Sequence, residues 1–131
     1  MILVDSSVWI RFLADKSPYS RGLDDLLALD QVVGHELVYG ELLIGDCGGR
    51  RELLAAYELL PKAGIIPHNE LVAFVLDRSL HGRGVGWIDI HLLASALVSR
   101  SYLWTADSRL SAIAIEFGIA YEPANSARTV S

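Results

Sequence analysis

The sequence predicts an α/β fold with a mainly parallel sheet covered by helices on both faces, and three observations carry that expectation. Short apolar runs of strand length alternate with longer segments whose apolar residues recur at helical spacing. The runs are short and apolar, as strands covered on both faces are. Asp residues stand directly after two of these runs, where a carboxylate caps the amides of a following helix.

Met1 to Val4 is the first strand, and Asp5-Ser6-Ser7 is the cap signal for a helix over Val8 to Leu13. Ser17-Pro18-Tyr19-Ser20 breaks the chain, after which Leu23, Leu26 and Leu27 mark a helix reaching Leu29. Val32-Val33 is a second short strand. Glu36 to Gly45 is helical, stopped by Gly45 and Gly48-Gly49, and Arg51 to Leu60 is a further helix ended by Pro61. Gly64-Ile65-Ile66-Pro67 reads as a short strand or turn, and Asn69 as the cap of a helix through Leu76. A glycine loop at Gly82, Gly84 and Gly86 leads to a helix over Ile88 to Ser99 with a wide apolar stripe. Tyr102 to Thr105 is a strand, Asp107 caps a helix through Phe117, and Gly118 to Tyr121 is the last strand.

The 131 residues suit a single domain, expected over 1–131. With 52% hydrophobic residues the chain has enough apolar side chains for a core, which excludes disorder as its main state. The longest apolar candidate, Leu92 to Val98, is soon broken by Ser99 and Arg100 and is too short for a membrane span. The start lacks the basic n-region and cleavage site of a secretory signal, and the lone Cys47 can form no internal disulfide, so a cytoplasmic protein is the expectation. The 16 acidic against 11 basic residues give net charge -5, and taken alone this argues against a polyanionic partner.

That argument weakens if acids are gathered at one place. In parallel α/β sheets the ligand crevice lies beyond the carboxyl ends of the strands. Asp5 and Asp107 both stand there, each a plain helix cap when taken singly but two like charges at one edge when taken together. Glu41 projects from an apolar helix side, with Leu37, Val38 and Ile44 at i-4, i-3 and i+3. Glu36 lies about 140° around that helix from Glu41, so the two cannot serve one site, and Glu36 is assigned to the helix dipole. Asp89 opens its helix on a face continued by Leu93 and Ala96. Four acids from separate elements make an oxygen-rich set suited to Mg²⁺ or Mn²⁺, ions that activate water against a phosphodiester. Without them the remaining 12 acids nearly balance the 11 bases.

Three other motifs fail. His35-Glu36 starts a zinc-protease pattern, but position 39 is Tyr39. The glycine loop has Trp87 where a dinucleotide fingerprint needs its third glycine, and no lysine follows a glycine as a P-loop requires. His68, His81 and His91 have no partners at ligand spacing and are expected at the surface or an edge.

Four blocks carry a family resemblance: MILVDSSVW from Met1, GHELVYGELLIG from Gly34, GWIDIHLLASAL from Gly86 and LWTADSRLSAIA from Leu103. Together, spanning Met1 to about Tyr121, they resemble the PIN-domain ribonucleases, and within those the VapC toxins of prokaryotic toxin–antitoxin modules. The resemblance implies an α/β/α sandwich, Mg²⁺-dependent endonucleolytic cleavage of RNA, a homodimer, and inhibition by a cognate VapB-type antitoxin. It implies that Asp5, Glu41, Asp89 and Asp107 are the metal-site acids, the same four chosen above, with Ser7 and Thr105 supporting them. Some relatives carry a further acid two residues after the fourth, where this chain has Arg109. Arg11, Arg83 and Arg109 are candidate phosphate contacts. Two alternatives stay open: a PIN-like interaction module without activity, and a PIN nuclease for RNA maturation outside any toxin system.

Overall fold

Three short apolar segments pair side by side in the computed structural model, which describes residues 1–123. The central strand β1 (Ile2–Val4) is buried along its whole length and runs parallel to β2 (Val32–Val33) on one side and β3 (Tyr102–Trp104) on the other. The register sets Ile2 opposite Val32 and Tyr102, Leu3 opposite Val33 and Leu103, and Val4 opposite Trp104. Single parallel bridges, Gly34 to Lys62 and Leu103 to Ala120, widen the sheet on either side. Because every pairing is parallel, the carboxyl ends of all three strands lie along one edge.

Seven helices fill the connections: α1 (Ser6–Leu13), α2 (Tyr19–Ala28), α3 (Glu36–Ile44), α4 (Arg51–Glu58), α5 (His68–Asp77), α6 (Trp87–Ser99) and α7 (Ser108–Glu116). Together with the three-stranded parallel sheet they give the expected α/β architecture. Leu3, Val8, Leu42, Leu92, Leu103 and Leu110 meet in one core cluster with Trp9 and Tyr57, each almost wholly out of water. Burial of such side chains stabilises the fold by about 1.5–3 kcal/mol apiece. The last residue of β1 is followed at once by α1, and β3 by α7 after only Thr105, Ala106 and Asp107, so both helix starts are pinned to the sheet edge.

Several expected boundaries shift, each for a local reason. α5 begins at His68 after Pro67 in extended backbone, so Asn69 lies inside the helix and does not cap it. The segment Gly64 to Pro67 forms no strand, because the one bridge falls earlier, at Lys62. α4 stops at Glu58 rather than Leu60, and the Lys62 ammonium donates to the carbonyls of Tyr57 (3.2 Å), Glu58 (2.9 Å) and Leu60 (2.8 Å), a lysine cap at a helix end. α6 starts one residue early, at Trp87, since the Asp89 side chain reaches back to the Gly86 amide. The last strand, expected over Gly118 to Tyr121, is reduced to the bridge at Ala120. No helix among the described residues is long and apolar enough to cross a membrane.

Candidate active site

Asp5 is the first residue beyond β1, and its amide donates to the Trp104 carbonyl at 2.9 Å, fixing it at the sheet edge beside β3. Its side chain is buried, at 4% exposure, and both carboxylate oxygens are engaged. Oδ1 accepts from the Ser6 amide (2.8 Å), which makes Asp5 the N-cap of α1. Oδ2 accepts from Ser7 Oγ and from Thr105 Oγ1, each at 2.8 Å. Each of these hydroxyls in turn accepts a backbone amide, Ser7 from Ala106 and Thr105 from Asp107, both at 3.0 Å. Their single protons therefore point at Asp5, and its carboxyl group is held in one orientation.

Asp107 is tied to the same network through its amide. Its Oδ1 accepts from the amides of Arg109 (2.8 Å) and Leu110 (3.1 Å) at the start of α7. The cap reading holds for both Asp5 and Asp107, and a cap bond made by one oxygen is compatible with a place at the crevice.

Glu41 comes from the middle of α3 and is linked to Asp5 by a residue not anticipated as part of the site. Ser6 Oγ donates to Glu41 Oε1 at 3.0 Å and also lies 3.4 Å from Asp5 Oδ1. Burial pushes the Glu41 carboxyl above its ordinary range, the bond from Ser6 opposes this, and the charges of Asp5 and Asp89 add to the rise. Burial likewise raises Asp89, against the bond from the Gly86 amide, with the charges of Asp5 and Asp107 raising it further. The four acids therefore feel one another, and among the described residues no lysine or arginine relieves Glu41 or Asp89.

Acids that repel one another at a partly buried edge, with oxygen donors only, fit a hard divalent cation. Among the described residues no three His, Cys, Asp or Glu side chains converge closely enough to grip an ion directly as they stand. The donor set thus fits an ion held by few carboxylates, with water filling its remaining positions, the usual habit of Mg²⁺.

The three arginines are placed unequally. Arg11 donates to the Ser7 carbonyl (2.9 Å) and lies over the Tyr19 ring. Arg109, the second residue of α7, packs on Gly84, where φ is +83° and an added Cβ would stand 2.9 Å from the Arg109 Cδ, so this loop position needs glycine. Arg83, expected with the phosphate contacts, instead forms a two-bond ion pair with Glu116 at the opposite end of α7 from Asp107.

The helices carrying Glu41 and Asp89 are joined beneath the site. His35, wholly buried, caps α3 by accepting the Leu37 amide at Nδ1 (3.1 Å), which leaves the proton on Nε2 to be donated to Ser95 Oγ (3.0 Å) on α6. Ser95 passes its own proton to the Gly64 carbonyl at 2.8 Å. Burial first, then His91, keeps the His35 pKa below its ordinary value and the ring neutral. Ser95→Ala would leave a buried Nε2–H without an acceptor, and a loss of about 1–3 kcal/mol in unfolding free energy is expected by denaturant titration.

The PIN-domain family model matches residues 2–116, nearly nine-tenths of the chain and all four acids. The chain belongs to the PIN-domain family. This PIN domain is similar to two proteins named Ribonuclease VapC32, from the CDC 1551/Oshkosh and ATCC 25618/H37Rv strains of Mycobacterium tuberculosis. Each is 41% identical over 121 residues, covering 92% of this chain and 95% of the relative.

Proposed function

We propose that this PIN domain is a divalent-metal-dependent endoribonuclease, the toxin of a VapC-type toxin–antitoxin pair. The observation that carries the reading is the set of four mutually repelling carboxylates, drawn from four separate segments to the carboxyl edge of a parallel sheet. The names of its relatives support RNA as the substrate.

In this reading Asp5, Asp89 and Asp107 would hold Mg²⁺ or Mn²⁺ partly through bound water, since no three of these side chains converge on one point as they stand, and Glu41 would join them directly or through water. A divalent ion held there lowers the pKa of a bound water and offsets charge on the scissile phosphodiester. Ser7 and Thr105 orient the Asp5 carboxyl, while Ser6 orients that of Glu41 across 35 positions of sequence. Glu41, bonded by Ser6 at Oε1, keeps its second oxygen for the ion or for a water bound to it. Arg11, Arg83 and Arg109 are the candidate phosphate contacts, Arg83 only by giving up its exposed pair with Glu116.

The proposal extends to a single domain over residues 1–131, a homodimer in the cytoplasm, and a VapB-type antitoxin that presents an Arg or Lys to the carboxylates. Purified protein incubated with RNA in Mg²⁺ or Mn²⁺ is expected to give discrete internal cuts that excess EDTA abolishes. Full-rate cleavage in EDTA would overturn the metal assignment, and absence of cleavage with either ion would overturn the nuclease reading.

A further inference from the structure

We infer that Trp87, between the imidazoles of His68 and His91, is a stacking platform for an unpaired nucleobase of the RNA beside the carboxylate site. This inference deepens the ribonuclease reading and rests on it.

Of the three tryptophans, Trp9 and Trp104 are core residues at 1% and 2% exposure, whereas Trp87 is 43% exposed. Its indole stands at the first position of α6, two residues before Asp89. His68, the first residue of α5, and His91, one turn along α6, each place a ring centroid 5.6 Å from it. Neither imidazole lies parallel on the indole, their planes being inclined by 57° and 85°, so the cluster braces the ring without a stacked cover. A planar apolar face rimmed by polar ring nitrogens matches a nucleobase, which is itself a π-face with a polar edge.

Charge favours such a face. The chain is net acidic, and the metal-site acids repel a phosphate backbone before any ion is bound. Several cations are already committed to the protein itself: Lys62 to three backbone carbonyls, Arg50 to the Leu42 carbonyl and Arg83 to Glu116. Base–aromatic stacking adds affinity that does not depend on these cations, and it does so without sequence preference.

Geometry also says which base. Trp87 and Asp89 differ by about 3 Å along the helix axis and about 200° around it. The indole thus leaves α6 on the flank away from the carboxylate, and the stacked base belongs to a nucleotide other than the one whose phosphate meets the acids.

The test uses the full chain and a single-stranded oligoribonucleotide of mixed sequence. RNA is expected to quench part of the indole emission of the Asp5→Asn protein with Mg²⁺ present, and the same protein carrying Trp87→Phe, which keeps only the buried Trp9 and Trp104, should lose that quenching. In steady-state cleavage, Trp87→Ala should raise KM about 5- to 150-fold with kcat little changed, and Trp87→Phe should recover most of the loss. Thermal melts of both variants show that they are folded, and the Phe variant decides the matter should the Ala variant melt early. An unchanged KM for Trp87→Ala, in protein that still cuts RNA and is silenced by Asp5→Asn, overturns the platform while leaving the nuclease reading intact. A parent protein that neither cuts nor binds RNA overturns both. A Trp87→Ala protein whose association state changes while its RNA constants do not would assign the indole to a protein contact instead.

Discussion

Asp5→Asn is expected to lower the rate of RNA cleavage by more than about 100-fold, since loss of residues that merely orient metal ligands already costs 10- to 100-fold. The fold should survive. Asn caps a helix as well as Asp does, and it can still accept the Ser6 amide bond that starts α1. The amide nitrogen would face Ser7 Oγ and Thr105 Oγ1, whose protons now point at Asp5 Oδ2 and would have to turn. Single-turnover cleavage in saturating Mg²⁺, with a thermal melt of the same sample, measures both effects. Asp89→Asn and Asp107→Asn should behave alike, since an Asn oxygen can still accept from the Gly86 amide or from the amides of Arg109 and Leu110. A loss of only a few-fold would reduce these residues to the helix caps that they also are.

Glu41→Gln is expected to move activity and stability in opposite directions. Cleavage should fall with the lost charge, while the metal-free protein should melt at a higher temperature than the parent near pH 7. The Glu41 carboxyl is raised in the fold, by burial first and then by Asp5 and Asp89, so the native state holds its proton to higher pH than the unfolded chain does. Stability therefore declines as pH rises from the unfolded value, about 4, through the raised folded value, and the penalty is complete above it. Gln carries no such penalty and can keep the bond from Ser6. In EDTA the gap between mutant and parent melting temperatures should close as pH falls toward 4, and at pH 7 it should close when Mg²⁺ is added to the parent. A mutant that melts no higher than the parent at pH 7 and cleaves at full rate would mean that Glu41 is not part of the site.

The sheet core and the acids were legible in the chain because each rests on a local signal. Asp5 and Asp107 follow apolar runs and precede helices, and Glu41 interrupts an apolar face, so neighbours within four residues expose them. What joins the acids was not legible. Ser6 and Glu41 are 35 residues apart, Thr105 and Asp5 are 100 apart, and His35 and Ser95 are 60 apart. Such pairings exist only once the strands have set their register. His35 shows the cost of reading a motif locally: the protease pattern fails at Tyr39, yet the same histidine is a buried cap joining α3 to α6. Arg83 was grouped with phosphate contacts because nothing near it in sequence reveals Glu116, 33 residues on. The strand at Gly118 to Tyr121 shrank to one bridge because edge pairing depends on a neighbour, not on β-propensity.

The central claim is that acids from separate elements act as one metal-holding unit. A double-mutant cycle on the cleavage rate, with Asp5→Asn, Asp107→Asn and the pair together in Mg²⁺, addresses it most directly. If the unit exists, the first substitution removes it, and the double mutant should fall within about threefold of the slower single mutant. Losses that multiply independently, the double mutant being slower by the product of the two single effects, would contradict it.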